Sequence, residues 1–192
     1  YILFIVLLAG FNSYGQWENL NTGLNDNLNG VIFFQANGLA SGQNGLYYTT
    51  TGGVGSSSWA ELHDFSNAAS AVFESTTFTS CAAVQNNNTS TGTVYACGQT
   101  NDLKAVIFRI NIPAMTYALV YTGAANTKFN KIACQDNTTN FTAVGDNGKI
   151  VSSNGTTVTE ITSNTTENIT TLAYATIATN SNTIGFGWGD RI

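Results

Sequence analysis

Few of the 192 residues could carry chemistry. The only histidine, His63, precedes Asp64, as a general base and its orienting acid would. Adjacent residues on a strand point to opposite faces, so a solvated loop histidine after Trp59 is the plainer reading. Glycoside hydrolysis needs two convergent carboxylates, but the eleven acids are scattered, and Asp64, Glu74, Asp102 and Asp146 share no motif. Three cysteines and one histidine lack metal-ligand spacing. Asp136-Asn137 and Asp146-Asn147-Gly148 could lend oxygens to calcium, but neither completes a ligand loop and hairpin turns explain both. Gly185-Phe186-Gly187-Trp188-Gly189 has no helix after it, so it forms no phosphate cradle. No catalytic residue, cofactor site or metal site follows from these residues.

Two constellations remain. Cys81 and Cys97 flank the turn-rich stretch 85–92 almost symmetrically, which predicts two facing antiparallel strands and leaves a cross-strand disulfide and a pair of free thiols both open. Cys134 has no sequence-evident mate and reads as a small buried apolar residue. Trp188 stands where other segments carry Gln43, Gln99 and Asp146. An exposed aromatic there would stack on a sugar ring or anchor a partner, and the competing reading packs it against a neighbouring sheet.

The elements that must hold these residues come from an internal repeat. Trp17-Glu18-Asn19-Leu20 returns as Trp59-Ala60-Glu61-Leu62, and more loosely as Tyr117-Ala118-Leu119-Val120 and Val158-Thr159-Glu160-Ile161. The glycine phrases Gly42-Gln43-Asn44-Gly45, Gly98-Gln99-Thr100-Asn101, Gly145-Asp146-Asn147-Gly148 and Gly187-Trp188-Gly189-Asp190 keep step with it. A period of roughly 40 to 50 residues with several short strands per unit predicts an all-β β-propeller of about four four-stranded antiparallel blades. Innermost strands are expected at 28–34, 78–84, 129–134 and 169–175, with glycine turns closing the second and third strands. The Trp-x-x-Leu phrases are outermost strands whose aromatic residue wedges between sheets. Essentially no helix is expected beyond residue 11.

Charged residues make up 9% of the chain and its formal charge is −5. Six dispersed basic residues leave no electrostatic footprint for nucleic acid or anionic lipid. Residues 1–15 are a nearly unbroken apolar run ending in Ser13-Tyr14-Gly15, which reads as an N-terminally truncated signal peptide, too short for stable membrane insertion. Residues 16–192 are then a partial propeller, an incomplete arc of a larger ring, secreted or at the cell surface.

With its repeat aligned, the chain resembles the BNR or Asp-box class of β-propellers, and within it the photosystem II assembly and stability factor type of exported bacterial proteins. The Asp-box, Ser-x-Asp-x-Gly followed by Trp, is degenerate here. It survives as Ser152-Ser153-Asn154-Gly155 with Val158 in the Trp slot, and as Thr50-Thr51-Gly52-Gly53 before Trp59. The resemblance implies a structural turn on the outer rim and a binding or scaffolding module for a protein or carbohydrate partner. The alternative is a sialidase-like or other glycoside hydrolase propeller whose catalytic residues lie elsewhere. Phe108-Arg109-Ile110-Asn111-Ile112-Pro113 looks like the sialidase Phe-Arg-Ile-Pro element, but two residues interrupt it and it lies in the second unit. A sialidase would also need three arginines on one carboxylate, and this chain has only Arg109 and Arg191.

Overall fold

The computed structural model describes residues 23–53, 58–63, 68–84, 90–135, 138–177 and 181–188. The signal-peptide expectation, the Trp17 phrase, Asp64, Asp136-Asn137 and Arg191 lie outside them.

Each repeat unit folds as an up-and-down antiparallel meander. Blade 1 is β1 (Leu28–Phe34), β2 (Asn37–Gly42), β3 (Leu46–Thr49) and β4 (Ala60–Glu61). Blade 2 is β5 (Thr76–Val84), β6 (Gly92–Thr100), β7 (Lys104–Ile112) and β8 (Thr116–Ala125). Blade 3 is β9 (Phe129–Cys134), β10 (Phe141–Gly145), β11 (Ile150–Ser153) and β12 (Val158–Ile161). Blade 4 shows β13 (Ile169–Ile177) paired with β14 (Ser181–Trp188). The first strands are neighbours in space, β1 beside β5, β5 beside β9 and β9 beside β13. This is the architecture of β-propeller blades around a hub.

Blades 2 and 3 are packed on both faces, which explains why their inner strands read as nearly continuous apolar runs. In β7, Val106, Phe108 and Ile110 point toward blade 1 and join Leu39, Leu46 and Phe78. The alternate residues Ala105 and Ile107 point toward blade 3 and join Phe129, Ile132, Phe141 and Val151. A smaller cluster of Val144, Ile150, Ile169 and Leu172 binds blade 3 to blade 4. Fully burying a phenylalanine contributes about 1.5–3 kcal/mol, so Phe78, Phe108, Phe129 and Phe141, all essentially inaccessible, dominate the cohesion between blades.

Two expectations need correction. A helix, α1 (Ala68–Glu74), occupies the link from blade 1 to blade 2. Its Ala68-Ala69-Ser70-Ala71 start has good helix propensity, and tertiary packing fixes it through Phe73, which is 3% exposed. The Phe73 ring stacks on Tyr117 at 4.2 Å and meets Phe108 edge-on at 5.1 Å. Phe73 is thus a main aromatic wedge between blades 1 and 2. Trp59 is half-buried and meets Phe33 edge-on at 5.8 Å, while its Nε1 donates to the Gly53 carbonyl.

Of the two readings left open for Cys81 and Cys97, the structure has the free thiols. From Ser80 to Val84 the β5–β6 register is unbroken and runs one residue off the facing arrangement, so Cys81 faces Ala96 and Cys97 faces Ser80. This step of one residue puts the two side chains on opposite faces of blade 2, Cys81 in the core against blade 1 and Cys97 in the core against blade 3. All three cysteines are free.

Candidate binding cleft on the turn face

The same irregularity recurs in every blade at the residue after the first apolar residue of the innermost strand. Leu28 pairs with Gly42 and Gly30 with Ser41, leaving Asn29 unpaired. The register steps over Thr79, Asn130 and Thr170 in the same way. A β-bulge re-aims the side chain it carries, and here it turns three of them toward the next blade. Asn29 Nδ2 donates to the Phe78 carbonyl at 2.7 Å, Thr79 Oγ1 to the Phe129 carbonyl at 2.7 Å, and Asn130 Nδ2 to the Ile169 carbonyl at 3.2 Å. Each acceptor is the first apolar residue of the following inner strand, so successive blades are tied by an equivalent bond.

Opposite each bulge lies the glycine phrase. A Cβ at Gly98 would strike the Thr77 carbonyl oxygen, and one at Gly145 the Lys128 carbonyl oxygen, so neither position tolerates a side chain. The turns that follow are stitched to the incoming chain. Gln43 N donates to the Asn27 carbonyl and Asp146 N to the Lys128 carbonyl, both at 3.1 Å, while Asn101 N donates to the Ser75 carbonyl at 2.9 Å. In blade 3, Asn147 and Gly148 have φ of 55° and 67°, the left-handed values that an Asn-Gly hairpin supplies.

These bulges and turns enclose an open cleft of about 460 Å³ on the face where the turns gather. Asn29, Gln43, Thr79, Gln99, Asn101 and Lys128 line it. Its walls are rigid because the lining amides are partly committed, Gln99 Nε2 to the Thr127 carbonyl at 2.9 Å and Gln43 Oε1 to Asn27 Nδ2 at 3.1 Å. Lys128 is the one charged lining residue and makes no ion pair among the described residues. Beside the cleft, Lys104 pairs with Asp102 at 2.6 Å and, with the Thr100 hydroxyl, holds that carboxyl below its usual range. Such a surface can hold polar backbone or amide groups and one negative charge. It presents no nucleophile with a base.

The other sequence candidates stand apart from the cleft. His63 lies past the end of β4 between two carboxylates, Nε2 3.1 Å from Glu61 and Nδ1 3.3 Å from Glu74. Because the acids sit on opposite ring nitrogens, no ion could be held by all three, and no three-residue metal cluster occurs among the described residues. Arg109 is exposed on the third strand of blade 2. Asp146 lies in the blade 3 turn and accepts from Asn130 Nδ2 at 2.7 Å. The backbone of Trp188 ends β14 opposite Ile169, the register held by Gly42, Gly98 and Gly145 in the other blades. It is therefore one residue earlier than the turn position of Gln43, Gln99 and Asp146, though at the same end of its blade.

The bulge residues were overlooked in the sequence, although the signal was present. Leu28-Asn29, Phe78-Thr79, Phe129-Asn130 and Ile169-Thr170 each set an amide or hydroxyl residue after the first apolar residue of a strand. On the opposite face, the Ser152-Ser153-Asn154-Gly155 stretch of blade 3 folds as a stapled turn. Ser153 Oγ accepts from Gly155 N at 3.0 Å, and Asn154 Oδ1 accepts from the backbone N–H groups of Thr156 and Thr157 at 3.1 and 2.9 Å. Among the described residues no helix is long and apolar enough to cross a membrane.

Blade geometry, bulges and turns place the fold in the β-propeller class. No protein-family model and no curated protein sequence matches the chain. Among solved structures it is similar to the propeller YCF48, in a structure described as YCF48 bound to D1 peptide, with a TM-score of 0.55 and 14% identity. The match covers 82% of this chain and 46% of that one, so this chain spans less than half the length of the protein it resembles. At that identity the likeness concerns the fold alone.

Proposed function

We propose that this chain is an exported, non-catalytic β-propeller module that binds a segment of a protein partner in the turn-face cleft. The observation that carries the reading is the cleft itself, a rigid wall of amides and hydroxyls with one uncommitted ammonium and no convergent acid, base or nucleophile. Preformed polar walls bind extended chain at low ordering cost, and the presence of a peptide in the YCF48 structure supports a protein partner. Residues 1–15 act as the export signal in this reading. The turn at Asn154 supports kinship with Asp-box propellers, and Trp188 adds an aromatic anchor at the same end of blade 4. A carbohydrate partner and a hydrolase propeller completed by residues outside this chain are the competing readings.

A random peptide library displayed on phage, selected against immobilised protein, tests the proposal. Selected peptides should bind in calorimetry and weaken at least tenfold with Lys128→Glu and with Gln99→Ala, and to a lesser extent with Trp188→Ala. Failure to select any peptide, or selected peptides indifferent to the first two changes, would sink it.

A further inference from the structure

Leu103 is a leucine in a backbone conformation that the blade 3 turn gives to asparagine and glycine. Its φ is 61°, in the left-handed region where a Cβ crowds the neighbouring carbonyl, while Asn147 and Gly148 adopt 55° and 67°. Met115 shares the conformation, with φ of 52°, but its side chain packs on the core between blades 1 and 2. Leu103 has no such compensation. It is 49% exposed and joins none of the three core clusters among the described residues.

The surrounding chain holds it there. In blades 1 and 3 the second hairpin closes soon after its glycine, with Gly42 N bonded to the Gly45 carbonyl and Gly145 N to the Lys149 carbonyl. Blade 2 runs further, since Gly98 pairs with Val106 and residues 99–105 project beyond it. The tip of this longer hairpin is stapled. Leu103 N donates to the Thr100 carbonyl at 2.9 Å and Lys104 N to Thr100 Oγ1 at 3.1 Å, while Asp102 accepts from the Thr100 hydroxyl and the Lys104 ammonium. Thr127 clamps the tip to the next connection, its N donating to the Leu103 carbonyl at 3.1 Å and its carbonyl accepting from Gln99. That clamp sets Leu103 beside Lys128, the residue after Thr127, and both line the turn-face cleft.

Backbone strain persists only where the surroundings over-determine it, and it gathers at ligand clamps. We infer that Leu103 is the apolar anchor of the turn-face cleft and selects partner segments that carry a bulky apolar side chain two residues from an aspartate or glutamate. The inference rests on the peptide-binding reading of that cleft and adds its specificity. Side chains two apart lie on one face of an extended chain, so the apolar one covers Leu103 while the carboxylate meets the Lys128 ammonium. The charge contributes orientation and encounter rate. The half-exposed leucine contributes the area that leaves water.

Random peptides displayed on phage, selected against the intact chain and then measured by calorimetry, test the inference. Selected peptides should share an apolar residue two positions from an acid, weaken at least tenfold with Leu103→Gly and with Leu103→Asn, and keep their affinity with Leu103→Met, which retains the apolar bulk. Leu103→Gly should melt no lower than the parent because glycine accepts the positive φ, and this separates a loss of binding from a loss of folding. The inference is overturned if the selected peptides share no apolar residue. It is also overturned if peptides that weaken with Lys128→Glu bind Leu103→Gly as tightly as the parent, a result that leaves the cleft reading standing. Selection of no peptide at all overturns both.

Discussion

Thr79 Oγ1 lies 2.7 Å from the Phe129 carbonyl oxygen and 3.2 Å from that of Cys97. A hydroxyl has one proton to give, and the shorter contact directs it to Phe129, across the boundary between blades 2 and 3. Asn29 and Asn130 make the equivalent bonds on either side. Thr79→Val keeps shape and removes the donor, so it should destabilise by about 1–3 kcal/mol, the cost of stranding a carbonyl away from water. Asn29→Ala, whose side chain is exposed, should cost less. Urea unfolding followed by circular dichroism measures both, and a Thr79→Val protein as stable as its parent would show that the contact contributes nothing.

Aromatic truncations should separate the two wedge candidates. Phe73→Ala empties a site packed by Phe78, Phe108 and Tyr117, and large-to-small changes of this type cost about 3–5 kcal/mol. Trp59→Ala removes a half-buried ring held mainly by Phe33 and should cost clearly less. The reverse order in thermal unfolding would put the blade 1 wedge back at Trp59.

That reversal shows where the sequence was readable. The inner strands 28–34 and 129–134 were placed to the residue, because a short apolar run after a turn has one interpretation inside a repeat. Glycine phrases marked the tight turns because backbone oxygens crowd Gly98 and Gly145. What escaped depended on tertiary packing or on a shift of one residue. Phe73 lies on a seven-residue helix too short to show periodicity, and its burial comes from blade 2. Cys81 and Cys97 miss each other by one residue of register, and a step of one puts two side chains on opposite faces of a sheet. The turn-face cleft was invisible because it is assembled from turns of several blades.

The crowding at the glycine phrases has its own consequence. Gly98→Ala and Gly145→Ala each push a methyl group into the backbone carbonyl of the residue before an inner strand's first apolar residue, which cannot swing aside as a side chain would. Each should lose about 1–3 kcal/mol by overpacking and broaden the amide resonances of the turn face. Gly30→Ala, where the nearest atoms are the Ser41 hydroxyl and the Cys81 thiol, should be milder. Equal stabilities for the three variants in denaturant melts would refute the crowding argument.

The buried thiols set an alkaline limit. Burial pushes Cys97 up to about 12, against the opposing Thr79 hydroxyl, and it pushes Cys134 up to about 12 as well. In the unfolded chain a cysteine ionises near 8.5. The folded pKa is raised, so the neutral thiols contribute full stability below about 8.5, and that contribution is lost as pH climbs toward 12 because only the unfolded state releases the protons. Within this window each thiol should subtract about 1.4 kcal/mol per pH unit. Cys97→Ala and Cys134→Ala should therefore flatten the fall of stability between pH 9 and 11, whatever they cost at pH 7. Native protein should resist iodoacetamide at pH 8 and take up three labels when unfolded, consistent with three free cysteines. A steep alkaline loss that persists unchanged in the double variant, or a bridged Cys81 and Cys97 in non-reducing mass spectrometry, would contradict this account.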